Sequence, residues 1–138
     1  IWEKYSISDS AYIERVHFHT KELINNYKPD LFWTDGELDY SGKDLRSKEL
    51  LAWIYNEAPN KEWIGVNDRW EKGSRGNHGG FVSLGYGDIN EPIAKNKMKE
   101  VSIPIAYSYG YNRAEPYNDY KSSDEIIKTM VKTIPGEY

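Results

Sequence analysis

The chain has 138 residues, enough for one domain with a buried core, and its 18 Lys and Arg against 22 Asp and Glu leave a net charge of −4. That balance offers no basic field for nucleic acid, and no apolar run approaches the roughly 18 residues of a membrane span, so neither is expected as a partner. The absence of cysteine excludes a disulfide framework and a thiolate zinc site, without fixing the compartment.

The chain opens on Ile1 rather than Met, which points to a start that is processed, trimmed or not the gene's own, and no signal-peptide pattern follows. Residues 10–27 place Tyr12, Ile13, Val16, Leu23, Ile24 and Tyr27 at helical spacing behind Ser8 or Ser10 as N-cap. Pro29 ends this helix by disfavouring helical geometry at Lys28. Leu31, Phe32 and Trp33 then read as a short buried strand closed by Thr34-Asp35-Gly36. Ser47 can cap a second helix carrying Leu50, Leu51, Ile54 and Tyr55, stopped before Pro59. Residues 63–66 read as the next strand, running into Asn67-Asp68-Arg69-Trp70. A glycine-rich loop over 73–80 leads to a strand over 81–86, and 90–99 is polar and loop-like. A strand over 101–109 is interrupted by Pro104, which suits an edge or a bulge. Ser122 with Glu125 is a capping-box pattern for a last helix reaching Lys132, with Ile127, Met130, Val131 and Ile134 on one side, stopped by Pro135-Gly136.

The order is therefore helix, strand, helix, three strands, helix, and strands alternating with helices at the start predict an α/β fold with a parallel sheet. Three strands run straight into polar residues: Thr34-Asp35, Asn67-Asp68-Arg69 and Ser108-Tyr109-Gly110. In parallel α/β folds that edge carries the chemistry. The 12 Tyr and 5 Trp against 3 Phe suit partly wet surfaces such as sugar clefts, where a ring covers an apolar C–H face and a polar edge meets hydroxyls; Tyr-rich strands packing together would use the same residues. His17 and His19, two apart on a helix, face different ways and make a poor metal pair, while His78 in the glycine-rich loop suits solvent. That loop lacks the spacing and lysine of a phosphate-binding loop.

The sharpest stretch is Tyr27-Lys28-Pro29-Asp30-Leu31-Phe32-Trp33-Thr34-Asp35-Gly36-Glu37. It resembles the nucleophile strand of family 29 of the glycoside hydrolases, the retaining α-L-fucosidases, in which a Tyr-x-Pro-Asp run leads to Trp-x-Asp-Gly. Residues 47–57, 66–70, 75–81 and 108–112 resemble later blocks of the same family in the same order. The resemblance implies that Asp35 is the nucleophile, that Arg69 contacts the sugar near it, and that Tyr109 packs on the sugar's methyl side. Trp33, two residues before Asp35 on the same side of the strand, could wall the sugar site. A carboxylate at the end of a buried strand is rigidly held, as formation of a glycosyl-enzyme intermediate requires. An Asp-Gly pair in an ordinary surface turn is the competing reading.

The general acid/base departs from the family. Where many members carry Glu before a Tyr, this chain has Gly85, which cannot transfer a proton. Glu100, at the family's Trp-Glu block with Lys99 in place of Trp, ranks ahead of Asp88 as a substitute. A retaining mechanism wants its two carboxyls roughly 5–5.5 Å apart. The family's early His-His-Asp-Gly-Phe block and its later Gly-Gly-Asn strand are also missing. A complete (β/α)8 barrel takes roughly 250 residues. The expected fold is thus α/β, a partial (β/α)8 TIM-type barrel of about four strands with flanking helices, residues 1–138 forming a single segment from its middle. Exposed strand edges would be covered by the remainder of the barrel or by a homo-oligomer. The implied substrate is a fucosylated oligosaccharide or glycoconjugate, no metal or organic cofactor is implied, and the family suggests a periplasmic, secreted or lysosomal setting. The rival reading is a catalytically degenerate or incomplete fucosidase-like module that binds sugar or another subunit. Gly85 and the missing histidines favour it; retention of Asp35, Trp33, Arg69 and Tyr109 speaks against complete decay.

Overall fold

Ser8 opens the first helix, α1 (Asp9–Tyr27), by accepting from the Ala11 backbone N–H at 3.3 Å. Ile13, His17, Thr20 and Ile24 recur at spacings of three and four and form its buried face. The helix ends where Lys28 turns left-handed and its N–H donates to the Ile24 carbonyl, with Pro29 following. The cap and the stop match the sequence reading, but of the apolar residues it placed on this helix only Ile13 and Ile24 are buried; Tyr12, Val16, Leu23 and Tyr27 are exposed, and His17 and Thr20 complete the buried face. The computed structural model describes residues 8–37, 39–77, 79–85 and 97–133, and the chain divides into two units, Ile1–Val82 and Ser83–Tyr138.

In the first unit, strand β1 (Leu31–Phe32) pairs in parallel with β2 (Gly65–Val66), with Leu31 opposite Gly65 and Phe32 opposite Val66. The helices α2 (Gly42–Leu45) and α3 (Ser47–Asn56) make the connection between them. Parallel neighbours need such a crossover, because a tight hairpin can only reverse the chain. Ile24 of α1, Leu50 and Ile54 of α3, Ala58, Ile64, Val66 and Trp70 form the core, with Phe32, Leu51 and Trp53 packed against it.

Two local expectations are corrected here. β1 was expected to be buried, but Leu31 is exposed and only Phe32 turns toward the core. Successive strand residues point to opposite faces, so one of the two must leave the helices' side. Ser47 is not a helix cap. Ser41 caps the short α2 in a capping box with Asp44, Arg46 turns left-handed behind it, and Ser47 opens α3 with its hydroxyl donating to the Trp70 carbonyl at 2.5 Å.

The second unit contains most of β3 (Val82–Leu84) with β4 (Lys99–Val101), which form a second two-stranded sheet. The four strands among the described residues thus stand in two pairs. The expected strand over 101–109 is β4 for its first residue only; residues 102–116 are irregular. Pro104 supplies no N–H, and side chains take over the backbone groups: Lys121 Nζ donates to the Pro104 carbonyl at 2.6 Å, and Tyr107 N–H donates to Glu115 at 2.6 Å. A 3-10 turn (Tyr117–Asp119) precedes α4 (Ser123–Thr133). Ser122 and Glu125 form the expected capping box, the Ser122 N–H donating to Glu125 Oε2 at 2.8 Å and the Glu125 N–H donating to Ser122 Oγ at 3.3 Å. Ile127, Met130 and Val131 on this helix are exposed. Tyr86, Asp88 and Ile134 lie outside the described residues.

Candidate active site

Asp35 sits three residues beyond the last paired residue of β1, and an amide side chain holds it there. The buried Asn67, immediately after β2, donates from Nδ2 to the Thr34 carbonyl at 2.7 Å and accepts the Thr34 N–H at Oδ1 at 3.2 Å. Asn67 therefore continues the β1–β2 ladder with its side chain after the strands stop. The Thr34 hydroxyl donates to the Arg69 carbonyl at 2.7 Å, tying the two strand ends a second time. Trp70 closes the layer beneath, donating its indole N–H to the Asn67 carbonyl at 2.8 Å while its ring lies 6.4 Å from that of Phe32.

The Asp35 carboxylate is half exposed, and its two oxygens differ. Oδ1 accepts from the Gly36 N–H at 2.9 Å, from Arg69 at 2.9 Å and from Arg75 at 3.4 Å. Among the described residues, no donor reaches Oδ2. Partial burial pushes the Asp35 pKa up, but the Arg69 and Gly36 hydrogen bonds and the charges of Arg69 and Arg75 outweigh it and hold the carboxyl below its ordinary value. Gly36 has φ of 92°, a left-handed conformation that glycine adopts without strain, and it lets the chain double back so that its N–H faces Asp35. The Arg69 guanidinium is buried at Asp35 and stacked over the Trp33 ring at 4.4 Å from the centroid. Trp33, Asp35 and Arg69 are therefore brought together within the first unit.

Two more residues join them. Arg75, from the glycine-rich loop, directs Nε to Glu37 Oε1 at 2.5 Å, and Glu37 is buried. A pocket of about 120 Å³ opens beside this group, with Tyr12, Val16, Thr34, Glu37, Tyr40 and Arg69 among its walls. Sequence reasoning gave no role to Glu37, Arg75 or Asn67. The available signal was a lone arginine in a glycine-rich loop and an acid two residues past Asp35, a pairing visible only when the fold brings positions 37 and 75 together.

The other expected site residues stand in the second unit. Glu100 is partly exposed on β4. Tyr109 was expected at a strand end; it lies in the irregular segment, is exposed, and donates its hydroxyl to the Ser102 carbonyl at 3.0 Å. Asp88 falls outside the described residues. Among the described residues no three His, Asp or Glu side chains come together as a metal-binding group.

The class of site defined by the first unit is a strand-end carboxylate held by two arginines on an α/β scaffold, one oxygen engaged and the other open. The chain matches the family described as Alpha-L-fucosidase over residues 2–136, and it belongs to that family. Plasma alpha-L-fucosidase of Pongo abelii is 34% identical over 113 residues, which is 82% of this chain and 24% of that protein. Tissue alpha-L-fucosidase of Homo sapiens is 33% identical over 113 residues, again 82% of this chain and 24% of that protein. Among solved structures, Alpha-L-fucosidase isoenzyme 1 from Paenibacillus thiaminolyticus shares the fold with a TM-score of 0.70 at 20% identity, over 92% of this chain and 32% of that one. The chain spans about a quarter of the length of the curated relatives it matches.

Proposed function

We propose that this chain carries the nucleophile segment of a retaining α-L-fucosidase, with Asp35 as the attacking group. The observation that carries the reading is the asymmetry at Asp35: three donors occupy Oδ1, and among the described residues none reaches Oδ2, just past the end of a parallel strand. Oδ2 forms a bond to the anomeric carbon of an α-L-fucoside as the glycosidic C–O bond breaks and the leaving oxygen takes a proton. Water then attacks the same carbon, the bond to Oδ2 breaks, and fucose is released with net retention. The lowered Asp35 pKa supports this role, because the group is an ionised nucleophile over most of the pH range. Arg69 and Trp33 border the sugar beside Asp35, and Tyr109 is assigned to its methyl side by resemblance. Glu100 is assigned the proton transfers by resemblance, with Asp88 as the alternative.

In this reading the parallel pair β1–β2 with α1 and α3 belongs to a (β/α)8 barrel, whose further strands come from the remainder of such a barrel or from a second copy. The substrate is a terminal α-L-fucose on an oligosaccharide or glycoconjugate. Gly85, where many relatives carry the acid, favours one other reading, a degenerate module that binds fucose without cleaving it.

Turnover of an aryl α-L-fucoside with a good leaving group tests the proposal, because such a substrate needs little protonation and tolerates a poor acid. Measurable release that falls about 10³-fold or more in Asp35→Asn is expected. Equal rates in the two proteins would overturn the assignment of Asp35, and binding of fucose without any release would favour the module.

A further inference from the structure

The Glu37 side chain is 2% exposed, and Arg75 Nε is the donor to its Oε1 at 2.5 Å. Its Oε2 is buried with no hydrogen-bond partner among the described residues. A buried carboxylate that rests on one cation depends on that cation staying in place, since losing it leaves an uncompensated charge away from water. The same guanidinium reaches Asp35: its Nε edge is on Glu37 while one terminal nitrogen lies 3.4 Å from Asp35 Oδ1. A planar guanidinium held at Nε has less freedom at its terminal nitrogens. The base of Arg75 is anchored as well, because the next residue, Gly76, donates its N–H to the buried Asp68 carboxylate at 2.7 Å, and Ser74 Oγ donates to the Asp68 carbonyl at 2.6 Å.

We propose that Glu37 is a positioning residue of this site: it fixes Arg75 so that the guanidinium closes Oδ1 of Asp35 and leaves Oδ2 as the attacking atom. The inference rests on the reading of Asp35 as nucleophile, but its test does not require turnover. Glu37 itself touches no reacting atom and acts only through Arg75. The Arg75 pKa is raised, the hydrogen bond to Glu37 being the largest cause, in keeping with a tight pair.

The experiment is a carbon-13 NMR titration of the Asp35 carboxyl in the full 138-residue chain, comparing the unaltered protein with Glu37→Leu, Arg75→Lys and the double variant. Leucine suits the buried position and removes both the charge and the acceptor. If Glu37 acts by placing Arg75, the Asp35 midpoint rises in Glu37→Leu by about half a pH unit or more, rises similarly in Arg75→Lys, and rises no further in the double variant. The sign discriminates, because deleting a neighbouring negative charge by itself lowers an aspartate's midpoint. A midpoint that falls or stays put in Glu37→Leu, or shifts that add in the double variant, would overturn the proposal. Should Glu37→Leu not fold, the Arg75 Nε–H of the unaltered chain decides. Protection from solvent exchange at least tenfold beyond that of a free arginine supports the clamp, and exchange at the free rate overturns it. Failure of Asp35→Asn to alter fucoside turnover would strike the nucleophile assignment alone and leave these shifts readable.

Discussion

At Asp35 the two carboxylate oxygens meet different surroundings, and the difference decides what the residue can do. Oδ1 is held by a backbone N–H and two guanidinium groups, which fixes the plane of the group and favours its ionised form. A pH consequence follows with a definite sign. The folded-state pKa lies below the unfolded one, so the folded chain binds fewer protons in that window, and stability rises with pH there. The contribution is complete above the ordinary aspartate range and is lost as pH falls through the lowered folded value. Thermal melts of the unaltered chain and Asp35→Asn between about pH 5 and pH 2 should therefore show the steeper acid loss in the unaltered chain. Asp44, Glu49 and Glu125 also have lowered values, but they are present in both proteins and cancel in the difference. Parallel melting curves across that range would contradict the braced carboxylate.

Asn67 does at the level of the elements what longer strands would otherwise do. β1 and β2 are two residues each, and the side-chain amide supplies the next rung by pairing with both backbone groups of Thr34. Asn67→Ala leaves those two backbone groups short of partners in a part-buried setting, so a loss of roughly 1–3 kcal/mol is expected in urea unfolding. A loss below about 0.5 kcal/mol would mean that the rung is dispensable. Gly79 belongs to the same joint. Its φ is 128° and an added Cβ would stand 2.6 Å from the Asn67 carbonyl oxygen, so only glycine lets the loop return against β2. Much of this scale was legible in the sequence. The Ser8 cap, the stop at Pro29 and the Ser122–Glu125 box are local signals, and they landed where the pattern placed them; of the apolar residues read into α1 only Ile13 and Ile24 are buried. The role of Ser47 and the breakdown of the strand after Val101 were not legible. Ser47 is recruited by the distant Trp70 carbonyl, and beyond Ser102, whose N–H still donates to the Leu84 carbonyl of β3, backbone groups of Pro104 and Tyr107 take partners from Lys121 and Glu115.

Across the whole molecule, the family was legible because five blocks recur in order, and the match over residues 2–136 bears this out. The α/β character was legible from the alternation of elements, while the pairing of the four strands among the described residues as two sheets was not, since strand partnership depends on contacts far apart in sequence. The first unit alone assembles Trp33, Asp35, Arg69, Arg75 and Glu37. Of these, Trp33, Asp35 and Arg69 stood out at strand ends, whereas the Glu37–Arg75 pair emerged only from the fold. The central claim is that Asp35 attacks a fucosyl carbon, and covalent trapping tests it most directly. The chain is incubated with 2-deoxy-2-fluoro-α-L-fucosyl fluoride, whose good leaving group needs little acid and whose fluorine slows release of the intermediate. The labelled peptide is then read by mass spectrometry. A fluorofucosyl adduct on Asp35 that is absent from Asp35→Asn is predicted; an unlabelled chain, or a label on another carboxylate, would contradict the account.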